Sequence, residues 1–516
     1  MKANIIVHLA VLASATFSVT LAKSAGLRTL FDNFFDNNDA TDKNGDLSLT
    51  DDRTCVFKWS SLSCEPKDRC SLQYQFGDIT PSQACRVTDT GDHTKEPQQI
   101  HLAYAGKEPG TGMAISWATF SLEESPAVWI GTSKTTIAIV KTARIETKSY
   151  YKDDDYSLYN YHAVVTGLKP YTEYFYKVGN ATNPKAQSTV SSFMTARSSG
   201  DKSPFVVAVL GDMGTEKYSI ATNKYLNSLV GKVDFVFHIG DIAYADNAFL
   251  KALNMFGFFF EETWNKYMNS LSKVMRRMAY MVVVGNHEAE CHSPVCIRST
   301  EKKNQLGNYT AFNTRFKMPS HECGGALNMW YSFVYGLMHV VACSSETDFL
   351  NPPSNAYYTN RKYGNFGNQL AWLEADLKAA HANRANVPWI VVGMHRPIYS
   401  LYSCDADGTP TGVDSSLELQ KAFEKLLDQD GRTYTNPCAP VHVVTGHAGC
   451  SEGLNSYKKA PSPKWLAAKD DSHYGITMLS VTATNLTVTM IEAATEKVYD
   501  EFSIIKKKTT QTQTDY

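Results

Sequence analysis

The sequence predicts a multi-domain protein in which an all-β sandwich is followed by an α/β domain. The chain has 516 residues, more than one ordinary hydrophobic core accommodates. From Glu96 to Ala196, short alternating apolar runs are separated by turn residues, which is typical of a sandwich. After residue 199, longer apolar runs rich in β-branched residues alternate with helical patterns, which indicates α/β structure.

The N-terminus resembles a secretory signal peptide over residues 1–22. Lys2 precedes an apolar stretch from Ile5 to Leu21, and Ala22 lies at a suitable cleavage position. A membrane anchor is the alternative, but His8 and several Ser and Thr residues make this stretch weakly apolar, and no later run is long enough to cross a bilayer. We therefore expect a secreted protein without a membrane span. The formal net charge of −2 gives no indication of nucleic-acid binding.

Eleven cysteines fit an oxidising compartment. Four of them crowd the N-terminal segment 23–95 and are expected to form two bridges of open connectivity: Cys55, Cys64, Cys70 and Cys85. Cys291 and Cys296 are spaced to close a small loop. Three N-x-T sequons predict glycosylation in a secreted protein, at Asn180, Asn308 and Asn485.

Residues 96–198 contain five short strand patterns. They are Ile100–Tyr104, Met113–Trp117, Ala127–Ile130, Tyr161–Val165 and Tyr174–Val178. Turn residues such as Glu108-Pro109-Gly110 separate them. We expect this sandwich to serve in packing or partner contact rather than in chemistry.

Polar clusters follow three strand-like apolar runs in the α/β part, residues 199–506. The clusters are Gly211–Gly214, Gly240–Asp246 and Gly285–Glu288. In an open α/β sheet, ligand sites lie beyond the carboxyl ends of the strands, so these clusters are expected to converge. One Gly-Asp pair alone indicates a turn, but three in order favour a pocket rich in oxygen ligands, suited to hard or borderline metals.

Further elements complete the α/β part, and a polar tail, residues 507–516, follows them. Helices are predicted at Lys217–Val230, Phe259–Met278, Gly367–Ala382 and Ser415–Leu427. Strands are predicted at Trp330–Ala342 and Pro388–Gly393, and alternating runs from Tyr474 to Ile505 are expected to finish a sheet.

The polar clusters carry a family resemblance. GDMG, GDIAYAD and GNHE, together with GMHRPIY at 393–399, resemble the first four signature blocks of the purple acid phosphatases, and the similarity spans about residues 96–506. The resemblance implies a fibronectin-III-like sandwich and a metallophosphoesterase domain of two mixed β-sheets flanked by helices. It also implies a secreted enzyme that hydrolyses phosphate monoesters of small molecules or phosphoproteins at acid pH. Its metals would be Fe³⁺ and a divalent Fe, Zn or Mn ion, which activate a bound hydroxide as nucleophile.

The resemblance implies ligands for the ferric ion. Asp212 would bind that ion, Asp241 would bridge both metals, and Tyr244 would supply a phenolate oxygen, which suits a hard trivalent cation. An ordinary core tyrosine is the alternative for Tyr244.

The resemblance also implies roles on the side of the divalent metal. Asn286 and His395 would bind this ion, while His287 would face the substrate phosphate and protonate the leaving oxygen. The alternatives are a strand-end cap for Asn286 and a structural role for His395.

The fifth signature block, Gly-His-x-His, does not occur in this chain. Its nearest match is Gly446-His447-Ala448-Gly449, which makes His447 a possible weak ligand. The run Val441–Val444 looks more like the strand that follows this block in the family, so we favour the absence of a segment of about 25–35 residues over a mutated block. Two hypotheses follow: an active phosphatase, or an impaired relative that keeps the fold and binds phosphate or a partner.

Overall fold

The computed structural model describes residues 95–140, 143–152, 156–251, 258–353, 362–401, 416–427, 440–457, 460 and 462–506, with four short strands nearer the N-terminus. Over these residues, no helix combines the length and the apolar character needed to cross a membrane. The side chains of Cys55, Cys64, Cys70 and Cys85, for which two bridges are predicted, lie outside the described part of the chain.

The strands are numbered in chain order. They are β1 Ile6–Ala10, β2 Leu47–Ser48, β3 Cys55–Lys58, β4 Ser61–Cys64, β5 Gln98–Ala105, β6 Gly112–Thr119, β7 Pro126–Gly131, β8 Ala138–Ile139, β9 Ile145–Lys148, β10 Tyr159–Thr166, β11 Glu173–Asn180, β12 Ser191–Met194, β13 Phe205–Leu210, β14 Phe235–Ile239, β15 Ala279–Val283, β16 Tyr331–Tyr335, β17 Met338–Ala342, β18 Trp389–Met394, β19 Val441–Val444, β20 Gly475–Val481, β21 Asn485–Glu492 and β22 Lys497–Ile505.

The helices are numbered in the same way. They are α1 Ser219–Ser228, α2 Ala248–Lys251, α3 Phe260–Ser270, α4 Ser272–Met275, α5 Pro294–Arg298, α6 Thr300–Leu306, α7 Thr310–Arg315, α8 Ser320–Cys323, α9 Gln369–Ala382 and α10 Ser416–Leu427, with 3₁₀ turns at Pro184–Ala186 and Asn286–Glu288. The pattern predicted over Phe259–Met278 is therefore two helices, α3 and α4, which meet at Leu271.

The three apolar runs form neighbouring parallel strands of one mixed sheet. The strand order is β22-β21-β20-β13-β14-β15-β5-β6-β10-β9, and β13, β14 and β15 run parallel at its centre. Their side chains are almost entirely buried, and they pack in one apolar core with residues of several helices and of the second sheet. The predicted fold class, a sandwich followed by an α/β domain with mixed sheets, is confirmed.

A second mixed sheet has the strand order β16-β17-β18-β1-β19. The single strand predicted over Trp330–Ala342 is wrong, because this segment is an antiparallel hairpin of β16 and β17. Gly336 has φ 55° in the hairpin turn, a conformation that glycine adopts at little cost. Strand β18 runs parallel to β17 and ends just before His395.

The second sheet contains one strand from the predicted signal peptide. Strand β1 pairs in parallel with β18 on one side and with β19 on the other. Strand β19 is therefore separated from β18 by the width of one strand. Cleavage after Ala22 would remove β1 from the mature chain, so the predicted signal peptide and this strand are alternative uses of the same residues.

The sandwich consists of two sheets and packs on the α/β domain. Strands β5, β6, β10 and β9 extend the main sheet, and β12, β11, β7 and β8 form the other layer. Arg315 is fully buried at the junction and donates hydrogen bonds to Glu261 of α3 and to Gln99 and Tyr150 of the sandwich region. Buried charge at this position ties the two domains together through one hydrogen-bonded network.

Candidate metal centre

Three of the predicted ligands lie in strained loops that directly follow β13 and β14. Asp212 has φ 56°, Asp241 has φ 50° and Tyr244 has φ 52°. Left-handed backbone is rare for residues other than glycine, and it persists only where the surrounding structure enforces it. These backbone conformations are energetically unfavourable, and they orient the three side chains toward a common pocket.

Asp241 lies at the centre of this pocket. Its carboxylate Oδ2 is 3.1 Å from His395 Nε2 and 3.4 Å from the Tyr244 hydroxyl, and its Oδ1 accepts the His287 amide at 2.9 Å. The Tyr244 hydroxyl also donates to Asp212 Oδ1 at 2.6 Å. The structure thus brings the predicted bridging carboxylate into contact with the side chains of His395 and Tyr244 and with the backbone of the loop after β15.

Asn286 and His395 meet on the other side of Asp241. The side-chain amide oxygen of Asn286, Oδ1, is 3.1 Å from His395 Nε2, and both residues are buried. One potential ligand atom from each of Asp212, Asp241 and His395 lies within 4.8 Å of the other two. All five predicted metal ligands therefore share this pocket.

Two glycines permit the close approach of the strand-end loops. A Cβ atom at Gly285 would lie 2.3 Å from Asp241 Oδ1, and one at Gly240 would lie 2.6 Å from His395 Nδ1. Contacts this short exclude any side chain at either position. The Gly-Asp and Gly-Asn pairs identified in the sequence are needed for packing as well as for turning.

Glu288 connects the loop after β14 with the loop after β15 through hydrogen bonds. Its carboxylate accepts three backbone hydrogen bonds, from Asp241 at 3.0 Å, Ile242 at 2.8 Å and Gly285 at 2.8 Å. The residue is 3% exposed, so these donors have little access to water. No local sequence pattern marks Glu288 for this role.

The protonation equilibria indicate a pocket that attracts positive charge. Burial, and after it the Asp241 carboxylate, raises the pKa of Asp212 well above its usual range. Burial and the Asp212 carboxylate likewise raise the pKa of Tyr244. Although burial alone would lower the pKa of His395, Asp241 together with Asp212 and Glu346 raises it to about 9. A bound cation would relieve the repulsion between these oxygen ligands.

The donor set fits the two metals that the resemblance implies. Asp212 Oδ2 is buried and accepts no hydrogen bond within the described chain, so an acceptor atom is left for a cation. Carboxylate, phenol and amide oxygens with one imidazole suit hard and borderline ions.

The His287 imidazole is anchored on one side and faces the pocket on the other. Its Nδ1 is 2.8 Å from Asp246 Oδ2, and its Nε2 is 3.5 Å from Glu452 Oε1 and 3.7 Å from Asp241 Oδ2. Burial alone would lower the pKa of His287, but Asp246 and Asp241 raise it well above the usual range. Sequence reasoning missed Glu452, because no local pattern marks a residue that reaches the site from the loop after β19.

His447 lies outside this cluster. Its ring nitrogens are 3.4 Å from the Thr445 hydroxyl and 3.1 Å from the Tyr499 hydroxyl, and its carbonyl oxygen accepts the Gly475 amide. The same loop instead brings Cys450 to the pocket, where the Cys450 amide donates to the Asp212 carbonyl oxygen at 2.9 Å.

The remaining predicted sites have different environments. The predicted bridge between Cys291 and Cys296 is confirmed. Asn485 is exposed and Asn308 is half-buried, so glycosylation at both stays a prediction. Asn180 is only 7% exposed. Its Nδ2, the atom that a glycan would need, donates to Glu123. Glycosylation at Asn180 therefore also stays a prediction, and a glycan there would have to replace this hydrogen bond.

Comparisons with known proteins cover the described domains. Residues 97–195 match the family model for the purple acid phosphatase N-terminal domain, 205–448 match that for calcineurin-like phosphoesterases, and 439–501 match that for the C-terminal part of iron/zinc purple acid phosphatase-like proteins. A probable purple acid phosphatase of Arabidopsis thaliana is 30% identical over 391 residues, which cover 71% of this chain and 78% of that protein. The chain belongs to the purple acid phosphatase family.

Other similar proteins are named acid phosphatases or purple acid phosphatases. Acid phosphatase A of Cryphonectria parasitica is 28% identical over 486 residues, 80% of this chain and 93% of that protein. The solved structure of a purple acid phosphatase from yellow lupin seeds has the same fold, with a TM-score of 0.59 at 20% identity over 80% of this chain and 74% of that one. Purple acid phosphatases are hydrolases that use Fe³⁺ with a divalent metal.

Proposed function

We propose that this protein is a secreted acid phosphatase that hydrolyses phosphate monoesters of small molecules or phosphoproteins. The observation that carries the proposal is the convergence of Asp212, Asp241 and His395 in one buried pocket, with their ligand atoms within 4.8 Å of one another. The signal-peptide pattern of residues 1–22 supports the proposal of secretion. N-terminal sequencing of protein collected from the medium tests that part, and we expect a mature chain that begins after Ala22.

The residues of the pocket divide into two ligand sets. Asp212 and Tyr244 would hold the ferric ion, Asn286 and His395 the divalent ion, and Asp241 both. When bound, the metals neutralise phosphate charge and make a water molecule nucleophilic. The protein supplies the orientation, because buried hydrogen bonds fix every one of these side chains before any ligand enters.

His287 is the proposed proton donor. Asp246 fixes its Nδ1, so the proton available to a substrate is the one on Nε2, which faces the pocket. Although burial lowers the pKa of His287, Asp246 and Asp241 raise it well above its usual range, which favours the protonated ring that donation to a leaving alkoxide oxygen requires. Glu452 lies on the same side of the ring and would help to retain this proton between turnovers.

An impaired, phosphate-binding relative is the second candidate. It is favoured by the separation of β19 from β18 by one strand and by the position of His447 against Tyr499 rather than Asp241. Both observations support the absence of the strand that carries Gly-His-x-His. The pocket then has five of the seven family ligands, and each metal has one nitrogen donor fewer.

One comparison of three proteins tests both candidates. They are the chain as written, its His447→Ala variant, and a version with a Gly-His-x-His strand restored between α10 and β19. Because changes around a ligand already cost about 10–100-fold, we expect substoichiometric metal and a hydrolysis rate for an aryl phosphate roughly a hundredfold lower without the restored segment. His447→Ala should change neither quantity. Two tightly held metals and full turnover in the chain as written would contradict the second candidate.

A further inference from the structure

One buried carboxylate is shared by two imidazoles beside the pocket. Asp246 Oδ2 is 2.8 Å from His287 Nδ1 and 2.9 Å from His292 Nδ1. Asp246 is 1% exposed, and the two histidines are each 5% exposed. The carboxylate oxygen that anchors His287 is therefore held from a second side by His292.

The backbone reinforces this arrangement. The His292 amide donates to the Asp246 carbonyl oxygen at 3.2 Å, so the two residues are joined through main chain and side chain. His292 Nδ1 also lies 3.3 Å from Asn247 Oδ1. On its other side, His292 Nε2 is 3.9 Å from Glu290 Oε1, and the second oxygen of Glu290 accepts from Tyr363 at 2.6 Å. His292 is thus contacted by polar groups on both edges of its ring.

A disulfide closes the loop that carries His292. Cys291 and Cys296 are bonded at a sequence separation of 5, and Ser293 caps the following helix α5 by accepting the Cys296 amide at 3.3 Å. A ring of this size leaves the enclosed backbone few alternative conformations. The disulfide therefore limits how far His292 moves away from Asp246.

We propose that His292 is a positioning residue for His287, which acts by fixing the shared Asp246 carboxylate, and that the Cys291–Cys296 disulfide keeps His292 in place. Without His292, the Asp246 side chain gains freedom to rotate about its Cα–Cβ bond. The His287 ring then loses its fixed orientation toward the pocket. The inference rests on the proposed function, in which His287 Nε2 protonates the leaving oxygen. Partners of this kind commonly contribute about 10–100-fold to activity.

The test uses four variants of the full chain. His292→Ala removes the contact, and His292→Asn retains a donor near the position of Nδ1. Cys291→Ser with Cys296→Ser opens the loop. His339→Ala is the matched control. The imidazole of His339, in β17, also contacts a carboxylate, because its Nε2 is 2.7 Å from Asp376 Oδ2.

The first measurement is proton NMR and does not require activity. The His287 Nδ1–H proton, assigned by its loss in His287→Ala, should give a downfield signal because it is donated to a buried carboxylate. We expect this signal to shift or vanish in His292→Ala and in the double serine variant, to return in His292→Asn, and to stay unchanged in His339→Ala. An unchanged signal in His292→Ala refutes the proposal. An unchanged signal in the double serine variant alone refutes the role of the disulfide.

The second measurement is steady-state kinetics with the Gly-His-x-His segment restored. We expect kcat for an aryl phosphate to fall about tenfold in His292→Ala at equal metal content, with KM within about twofold and recovery in His292→Asn. If the restored chain has no phosphatase activity, the proposed function fails, while the NMR signal still decides the role of His292. If His292→Ala does not fold, His292→Asn and the double serine variant decide by the same signal.

Discussion

Replacing Glu288 should damage the framework of the metal centre more than any exposed charge could. The carboxylate of Glu288 accepts three amides, those of Asp241, Ile242 and Gly285, at 2.8–3.0 Å. Each buried donor left without a partner costs about 1–3 kcal/mol. Because water can enter the space left by the side chain, we expect Glu288→Ala to lower the free energy of unfolding by about 3–5 kcal/mol, near the low end of the sum.

Replacing Glu288 with glutamine removes the negative charge but keeps the size and shape of the side chain. Oε2 accepts two of the three amides and Oε1 accepts one, so an amide nitrogen in either place faces at least one donor. We expect Glu288→Gln to cost about 1–3 kcal/mol. Both variants should also lose metal, because the loops that carry Asp241 and Asn286 are no longer held together.

Urea unfolding with elemental analysis of the purified protein measures both effects. Glu374→Ala is the control, since its carboxylate contacts Lys378 at 2.6 Å on an exposed helix face. Exposed pairs of this kind contribute about 0–1 kcal/mol. If Glu288→Ala is as stable as Glu374→Ala and holds as much metal, the three amide contacts do not organise the site, and the reasoning is refuted.

Four further predictions concern the site and the domain junction. Asp241→Ala should lower the content of both metals, whereas His287→Ala should keep the metals and reduce turnover; full metal content in Asp241→Ala would argue against a bridging role. Iron-loaded protein should show a visible charge-transfer band that Tyr244→Phe abolishes, and a surviving band would identify another ligand. In the metal-free protein His395 has a pKa of about 9, so its ring must lose a proton before a metal binds. Zinc affinity, measured by competition with a metal-binding dye, should therefore rise about tenfold per pH unit between about pH 6 and pH 8. An affinity that does not change with pH contradicts this prediction. Arg315→Ala should lower the free energy of unfolding by about 3–5 kcal/mol in a urea titration, because Glu261 remains buried without its partner; a loss below about 1 kcal/mol would indicate that water replaces the guanidinium.

Much of the site could be predicted from the sequence, because its ligands follow a local rule. Each ligand from Asp212 to His395 comes just after a buried apolar run, and parallel strands place their carboxyl ends at one edge of a sheet. Helical patterns in the sequence predicted helices α1, α9 and α10 to within two residues at each end. The hairpin of β16 and β17 was missed, since an apolar run interrupted by one glycine looks like a single strand.

The groups that support the ligands could not be predicted in this way. The position of Glu452 beside His287 and the contact of His292 with Asp246 depend on which loops are adjacent in the folded chain. Hydrophobic periodicity in the sequence does not indicate which loops are adjacent. The role of Glu288 could not be predicted either, because the sequence does not indicate which backbone amides donate to its carboxylate.

The sequence by itself determined which candidate ligands this protein carries and in what order, since the ligand types and the glycine turns lie in short, ordered segments. Tertiary structure alone decided what becomes of the missing fifth block. In the full-length chain, β1 separates β19 from β18. His447 then lies against Tyr499, and the loop after β19 places Cys450, rather than a histidine, beside Asp212. The physical reason is that position in a sheet depends on hydrogen bonds to neighbouring strands, and those neighbours are distant in the chain.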